Sequence, residues 1–350
     1  MPEAVNSQPS PVFPAWLANL DPGLWRHPGE DQALGSLKKA PGFDRLLSLM
    51  SAHGSGKAER MVETASFLKA GKGIYPRLAQ RWDECLAAFG VGEIPLHLVH
   101  RQEKGWQIRY DAQGARVILA ADLLDSLPET EMTALLAGLA GGLKLGSAVN
   151  LAAVDFLRWF RDFSGLAGAP AAMLAWALEN WRCYALMSLD RAAALATGEA
   201  DVRHLLVRLA GGGHAAWGGI TDPDAPRRQG LAAEAYRDDW NNSHWRRFTA
   251  ALNRENTGTL LRLADLANWF ASGAPAKIAA GTPLEAADQP SPREPGPAFW
   301  GEFAPPPPEA DGGERADWLA LAGEWGKMAE KGLSAFFRAG ESFLQDWRKK

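Results

Sequence analysis

The sequence has few of the residues that cross-link small secreted domains or bind metals. Cysteine occurs only as Cys85 and Cys183 in 350 residues, and neither lies in a C-x-x-C motif. This excludes a disulfide framework and a cysteine zinc site, and we expect two isolated reduced thiols. The seven histidines include no pair at i and i+4. His97 and His100 fall on opposite faces of a predicted strand, so neither supports a histidine metal site.

The chain also lacks a strong charge of one sign and a long apolar run. Its formal net charge is -4 and no basic stripe stands out, so nucleic acid is not an expected partner. No run of about 18 apolar residues occurs, so no membrane-spanning helix is expected. Residues 1–10 lack the charged start and apolar core of a signal peptide. We therefore expect a cytoplasmic protein.

Common catalytic motifs are missing as well. The stretch His-Gly-Ser-Gly-Lys at 53–57 resembles part of a phosphate loop. A complete loop would need glycine in place of Ser51 and serine or threonine in place of Ala58, so a surface turn is favoured. We find no Gly-x-Ser-x-Gly elbow and no carboxylate pair placed for acid–base chemistry.

The residues that are present fit a globular protein, since 47% are hydrophobic and 22% are charged. The predicted fold class is α+β and predominantly α-helical, with a small β-sheet. Apolar periodicity predicts helices, and short apolar runs punctuated by glycine predict strands. The predicted helices cover 75–89, 131–147, 151–195 with a break near 165–170, 231–247 and 259–271, and the predicted strands cover 96–101, 106–111 and 116–121.

Composition divides the chain into four predicted segments. A flexible N-terminus over 1–20 precedes a domain over 21–281, and a proline-rich linker over 282–313 follows it. An amphipathic helix is predicted over 314–350, because large apolar residues recur there at helical spacing. Its candidate partner-docking residues are aromatic, namely Trp318, Trp325, Phe336, Phe343 and Trp347.

Three interpretations of this C-terminal helix stay open. It packs on its own domain, or it binds in a partner's groove, or it lies on a membrane surface. Membrane-surface contact is less favoured, because acidic side chains nearly balance the basic ones.

The central stretch at 131–147 predicts a helix that contains Gly138, Gly141 and Gly142. Each glycine costs about 1 kcal/mol relative to alanine in a helix interior. A helix that keeps them either needs close backbone approach or has lost functional side chains at those positions.

The neighbouring residues favour the second explanation, because they resemble zinc metallopeptidases of family M forty-eight. This family includes HtpX-type heat-shock proteases and CAAX prenyl proteases. The resemblance rests on the apolar run at 117–124, on Pro128, and on Glu131-Met132 followed by Leu135-Leu136-Ala137. It extends from about residue 27 to residue 278, and it implies a zincin-like domain.

The resemblance also implies that the family's chemistry is missing. The first zinc histidine of the family falls on Gly138, the general-base glutamate on Leu139 and the second histidine on Gly142. The third ligand, a glutamate four residues before Asp-Arg, falls on Leu186. No catalytic residue, no metal and no cofactor is therefore expected.

Asp190 matches a family aspartate that orients a zinc histidine. Without that histidine, we expect Asp190 to form a helix–helix salt bridge or a helix-cap contact. Lys144 is the candidate partner.

These observations predict a catalytically inactive pseudopeptidase that binds a protein or peptide partner. Its former cleft at Gly138, Leu139, Gly142 and Leu186 would hold an apolar segment of the partner or be filled by the protein itself. Two alternatives stay open, namely an active metalloendopeptidase with relocated metal ligands and an assembly subunit recruited through its C-terminal helix.

Overall fold

The computed structural model of the chain describes residues 13–38, 65–100, 105–111, 114–148, 150–151, 169–211, 220, 222, 224–229, 258–285 and 288. The helices predicted over 231–247 and 314–350 lie outside these residues, and so do the motif at 53–57 and most of the predicted linker.

Helices make up most of the described chain. In chain order they are α1 (Pro28–Lys38), α2 (Pro76–Ala88), α3 (Asp122–Ser126), α4 (Glu129–Lys144), α5 (Ala169–Thr197), α6 (Glu199–Leu209), α7 (Thr259–Ala271) and α8 (Ala274–Ala279). Short 3₁₀ turns at Ala15–Asn19 and Pro22–Leu24 precede α1. Among the described helices, none combines the length and the apolar character needed to cross a membrane.

The strands form one small sheet. They are β1 (Leu68–Lys69), β2 (Leu96–Val99), β3 (Trp106–Asp111) and β4 (Gly114–Ala120), in the spatial order β1-β2-β4-β3. β4 pairs parallel with β2 and antiparallel with β3, and its residues 117–120 are all buried. The three predicted strands are confirmed, with ends that differ by one or two residues. β1 was not predicted, because its two residues are both exposed and carry no alternating pattern.

α4 lies at the centre of the core. Residues 131–142 are buried around the whole circumference of the helix, which packs against α2, α5 and α6. Glu129 and Glu131 lie in its first turn, where negative charge favours the helix dipole. Gly146 follows the helix with φ +76°, a left-handed conformation that suits glycine at a helix end. The predicted α+β class, mostly helical with a small sheet, is confirmed.

The structure describes residues 13–20 of the predicted N-terminal segment and residues 282–285 and 288 of the predicted linker, and both sets include buried residues. Leu17 lies in the first 3₁₀ turn and is fully buried, and so is Trp25, whose ring contacts Phe89 at 5.9 Å. At the other end, buried Asp288 accepts hydrogen bonds of 2.6 and 2.8 Å from Lys277 Nζ. Proline-rich composition indicated mobile chain, but apolar anchors hold residues 13–20 on the core. We call residues 13–38 the N-terminal strap.

Candidate functional site

The glycines of α4 form the closest contact between α4 and α5. A Cβ atom placed on Gly141 would lie 2.3 Å from Cβ of Ala192, and one on Gly142 would lie 2.6 Å from Cδ1 of Leu189. A Cβ on Gly138 would lie 3.0 Å from the backbone oxygen of Leu189. Real Cβ contacts are longer, so the two helices can approach this closely only because these residues are glycine.

The four-residue spacing of Gly138, Gly142 and Gly146 predicts a flat glycine strip on one helix face, and the structure corrects its membership. Gly138 and Gly142 do face another helix, as expected. Gly146 does not belong to the contact, because it follows the helix end and has no atom within 4 Å of its would-be Cβ. Gly141 belongs to it instead. Of the two explanations offered for the glycines, close backbone approach is directly observed.

The four positions matched to zinc ligands and base are all buried. Leu139 is 1% exposed and Leu186 is 3% exposed, and both belong to the same hydrophobic core. The atoms closest to would-be Cβ atoms at Gly138 and Gly142 belong to α5, chiefly to Leu189, and not to Leu186. α5 therefore occupies the space next to these glycines and leaves no room for larger side chains there.

Asp190 forms a salt bridge between helices, as predicted, but with a different partner. Arg262 on α7 donates from Nε to Asp190 Oδ2 at 2.7 Å and from Nη2 to Oδ1 at 2.6 Å. Burial raises the pKa of Asp190, and the bidentate bond from Arg262 opposes that rise. The predicted partner, Lys144, donates instead to the backbone oxygens of Leu17 at 3.1 Å and Ala18 at 2.7 Å. Lys144 therefore binds the strap.

A second buried ion pair lies beside the first. Arg191 donates to both carboxylate oxygens of Asp265 on α7, at 3.2 and 3.0 Å, and its guanidinium lies 5.2 Å from the ring centroid of Trp269. His27 of the strap approaches the same carboxylate, with Nε2 3.2 Å from Asp265 Oδ1. Burial acts to raise the pKa of Asp265, but Arg191 and His27 outweigh it and leave the pKa below its usual value.

A buried carboxyl group lies on the other side of His27. Glu30 is 3% exposed and accepts hydrogen bonds from Ser147 Oγ at 2.9 Å and from Ser188 Oγ at 2.5 Å. Ser188 Oγ in turn accepts a hydrogen bond of 2.9 Å from the backbone N–H of His27. Burial raises the pKa of Glu30, more than its serine partners and Arg26 lower it.

Ser188, His27 and Asp265 do not form a nucleophilic triad. The imidazole Nδ1 accepts from the backbone N–H of Gly29 at 3.0 Å, and Nε2 faces Asp265. Both ring nitrogens are therefore occupied, and the Ser188 hydroxyl donates to Glu30 and not to the ring. In a Ser-His-Asp triad the imidazole accepts the proton of the serine hydroxyl, and here no hydrogen bond joins the His27 ring to Ser188.

Sequence reasoning singled out Asp190 and missed Glu30, Arg262 and Asp265. A signal for the last two existed. Adjacent Asp190 and Arg191 on a predicted apolar helix need partners of opposite charge. Arg262 and Asp265 lie three residues apart on another predicted helix, so they share one face and offer that complement. Nothing in the local sequence marks Glu30 as buried.

A few large apolar side chains are exposed. In the described chain they are Leu68 (51%), Ile74 (40%), Tyr75 (43%) and Ile220 (43%). The first three fall in one stretch of chain around β1 and the start of α2. The cysteines behave as expected, because both thiols are free and burial raises the pKa of Cys85 to about 12.

Within the described residues, no group of three or more His, Cys, Asp or Glu side chains is placed to hold a metal ion. No family model, no curated protein and no solved structure matches this chain.

Proposed function

We propose that the chain is a catalytically inactive, metallopeptidase-like protein that acts by binding a protein or peptide partner. One observation carries the proposal: the positions that the resemblance assigns to zinc ligands hold Gly138, Gly142 and Leu186, and α5 packs directly on the two glycines. Zinc hydrolysis needs lone-pair donors around the metal and a base for the bound water. Neither glycine nor leucine supplies them.

The buried glycine contact argues against partner binding in the former cleft. We therefore assign the partner surface to the predicted C-terminal helix, whose aromatic side chains are of the type that anchors interfaces. The cytoplasm is the proposed location. An active peptidase with relocated ligands ranks second, because the described residues offer no ligand cluster.

Metal analysis and a protease assay test the inactive state. The full-length protein, purified without chelator and then supplied with zinc, should retain far less than one equivalent after dialysis and should leave an unfolded protein substrate uncut. One equivalent of tightly bound zinc, together with a peptidase activity that a chelator removes, would overturn the proposal.

Tail variants test the binding role. Changing Trp325 and Phe336 together to Ala should abolish association in size-exclusion chromatography and leave the circular dichroism of the domain near its original value. Changing Lys327 and Arg338 to Ala is the matched control in the same segment, and it should retain association. If the aromatic variant unfolds the whole protein, the helix belongs to the core and the assignment is wrong.

Deletion of residues 314–350 tests whether the partner surface lies on the C-terminal segment. Loss of every association is the result expected when the partner binds only through this segment. Association that survives the deletion, and that fails when Leu68 and Tyr75 are changed to Ser, would place the partner on the described apolar surface instead.

A further inference from the structure

The N-terminal strap packs against the C-terminal end of α4 through apolar contacts and hydrogen bonds. Leu17 and Trp25 bury apolar side chains, and Lys144 and Arg26 form hydrogen bonds between strap and helix end. Glu30 contributes the only carboxyl group of the described strap that is buried. It bridges two other parts of the protein, since Ser147 follows α4 and Ser188 lies on α5.

Among the described residues, no Lys, Arg or His side chain donates a hydrogen bond to this carboxyl group; its donors are Ser147 and Ser188. Arg26, the nearest opposite charge, pairs with Asp31 at 2.8 Å and with the backbone oxygen of Leu145 at 3.3 Å. Among the described charged groups of the packed elements, Lys144 binds strap carbonyls, Asp190 binds Arg262, and Arg191 and His27 both face Asp265. Glu131 pairs with Arg208, and Glu129 pairs with Arg77 and Arg81. A carboxylate removed from water without a counter-ion takes up a proton more readily than an exposed one.

The hydroxyl of Ser188 can form a hydrogen bond with Glu30 whether the Glu30 carboxyl group is ionised or protonated. It donates to ionised Glu30 at 2.5 Å, and the backbone oxygen of Tyr184 lies 3.2 Å away as an alternative acceptor. When Glu30 carries a proton, the carboxyl O–H donates to Ser188 Oγ, and the hydroxyl turns to Tyr184. The two states therefore differ by one proton and one hydroxyl rotation, with the strap in place in both.

We propose that Glu30 is a proton-operated latch, which holds the strap on α4 and α5 when protonated and weakens its attachment when ionised. The opened strap would leave Glu30 in water, where its pKa returns to the ordinary value of 4.5. Because burial raises the pKa in the closed state, the attachment is strongest below pH 4.5 and is lost progressively as pH rises through the closed-state pKa. Opening would expose the apolar surface now buried beneath Leu17 and Trp25.

Hydrogen exchange of the full-length protein, followed by mass spectrometry of strap peptides, tests the latch. After correction for intrinsic exchange, the opening constant of wild-type strap should rise by up to about tenfold per pH unit between 4.5 and the closed-state pKa. Glu30→Gln, a mimic of the protonated acid, should give low opening that no longer depends on pH. Peptides from α6 serve as an internal reference.

A second variant keeps the latch testable if Glu30→Gln fails to fold. Ser147 donates to the carboxyl group and so lowers its pKa. Ser147→Ala should therefore move the exchange transition to higher pH, which a purely structural contact would not do. The proposal is overturned if wild type and Glu30→Gln share one pH profile, if Glu30→Gln opens the strap at every pH, or if Ser147→Ala leaves the transition unmoved or lowers it.

Discussion

The contact between α4 and α5 predicts that one methyl group is enough to destabilise the protein. In Gly141→Ala, the new Cβ would lie 2.3 Å from Cβ of Ala192, far inside the ~3.5–4.0 Å at which carbon atoms pack. Both atoms are fixed to helix backbones, so rotation of a side chain cannot relieve the clash. The helices must move apart in a core where Phe89 already lies 3.4 Å away.

Two opposing effects set the change in the free energy of unfolding that Gly141→Ala should cause. Overpacking a well-packed core costs roughly 1–3 kcal/mol, and a rigid clash belongs at the upper end. Replacing glycine by alanine in a helix interior returns about 1 kcal/mol. We expect a net loss of about 2 kcal/mol in the free energy of unfolding, or about 4–8 °C in melting temperature for a domain of this size.

The matched control is Gly35→Ala in α1, where a Cβ would meet no atom within 4 Å. The same chemical change should stabilise the protein there by about 0.5–1 kcal/mol. Thermal melting by circular dichroism measures both. If Gly141→Ala melts at or above wild type, as Gly35→Ala should, the close approach of α4 and α5 is wrong.

A double-mutant cycle tests whether the destabilisation by Gly141→Ala comes from its contact with Ala192. Ala192→Gly removes the opposing Cβ, so Gly141→Ala should no longer be destabilising in that background. The coupling between the two changes should reach about 2–3 kcal/mol, because the clash disappears while the helix-propensity gain stays, and this is within the range seen for residues in contact. Additive effects would place the cost of Gly141→Ala elsewhere.

Three further outcomes follow from the described contacts. Asp190→Leu should cost about 3–5 kcal/mol in urea unfolding, because it leaves Arg262 buried and unpaired, and adding Arg262→Met should recover most of that loss. The pKa of Asp265 is depressed below 3.8, so its stabilisation is present above pH 3.8 and lost as pH falls through the folded-state pKa. Asp265→Asn should therefore flatten the acid dependence of the urea midpoint between about pH 5 and pH 2, and an unchanged slope would count against the Arg191 pair. Gly142→Phe should cost at least about 1–3 kcal/mol, and an unchanged melting temperature would place the glycine strip in solvent.

The elements that the sequence predicted well are those with strong local signals. The bounds of α7, Thr259–Ala271, are those predicted, because apolar periodicity is flanked by Gly258 and Gly273. β4 was predicted because it is a continuous apolar run after Gly114. In both cases the local pattern and the tertiary environment agree, so local reasoning was sufficient.

The contacts of the site depend on tertiary geometry, and sequence reasoning placed them less well. Lys144 was an acceptable partner for Asp190 by charge alone, but the fold brings Arg262 there and directs Lys144 to the strap. Residues 1–20 were interpreted as mobile from their prolines, although Leu17 among them is buried in the core. Local composition could not reveal which distant helix each of these side chains meets.

The close packing at the glycines of α4 limits which side chains these positions can hold. Under the proposed resemblance, restoring histidine at position 138 would place its Cβ 3.0 Å from the backbone oxygen of Leu189, and at position 142 its Cβ would meet the Leu189 side chain at 2.6 Å. A backbone atom cannot move aside as a side chain can. A zinc site could therefore return only if α5 withdrew from α4. The glycines of α4 and residues Leu189, Ala192 and Ala193 of α5 form one packing arrangement, so under the proposed resemblance the same glycines account both for the missing ligands and for the close approach of α5.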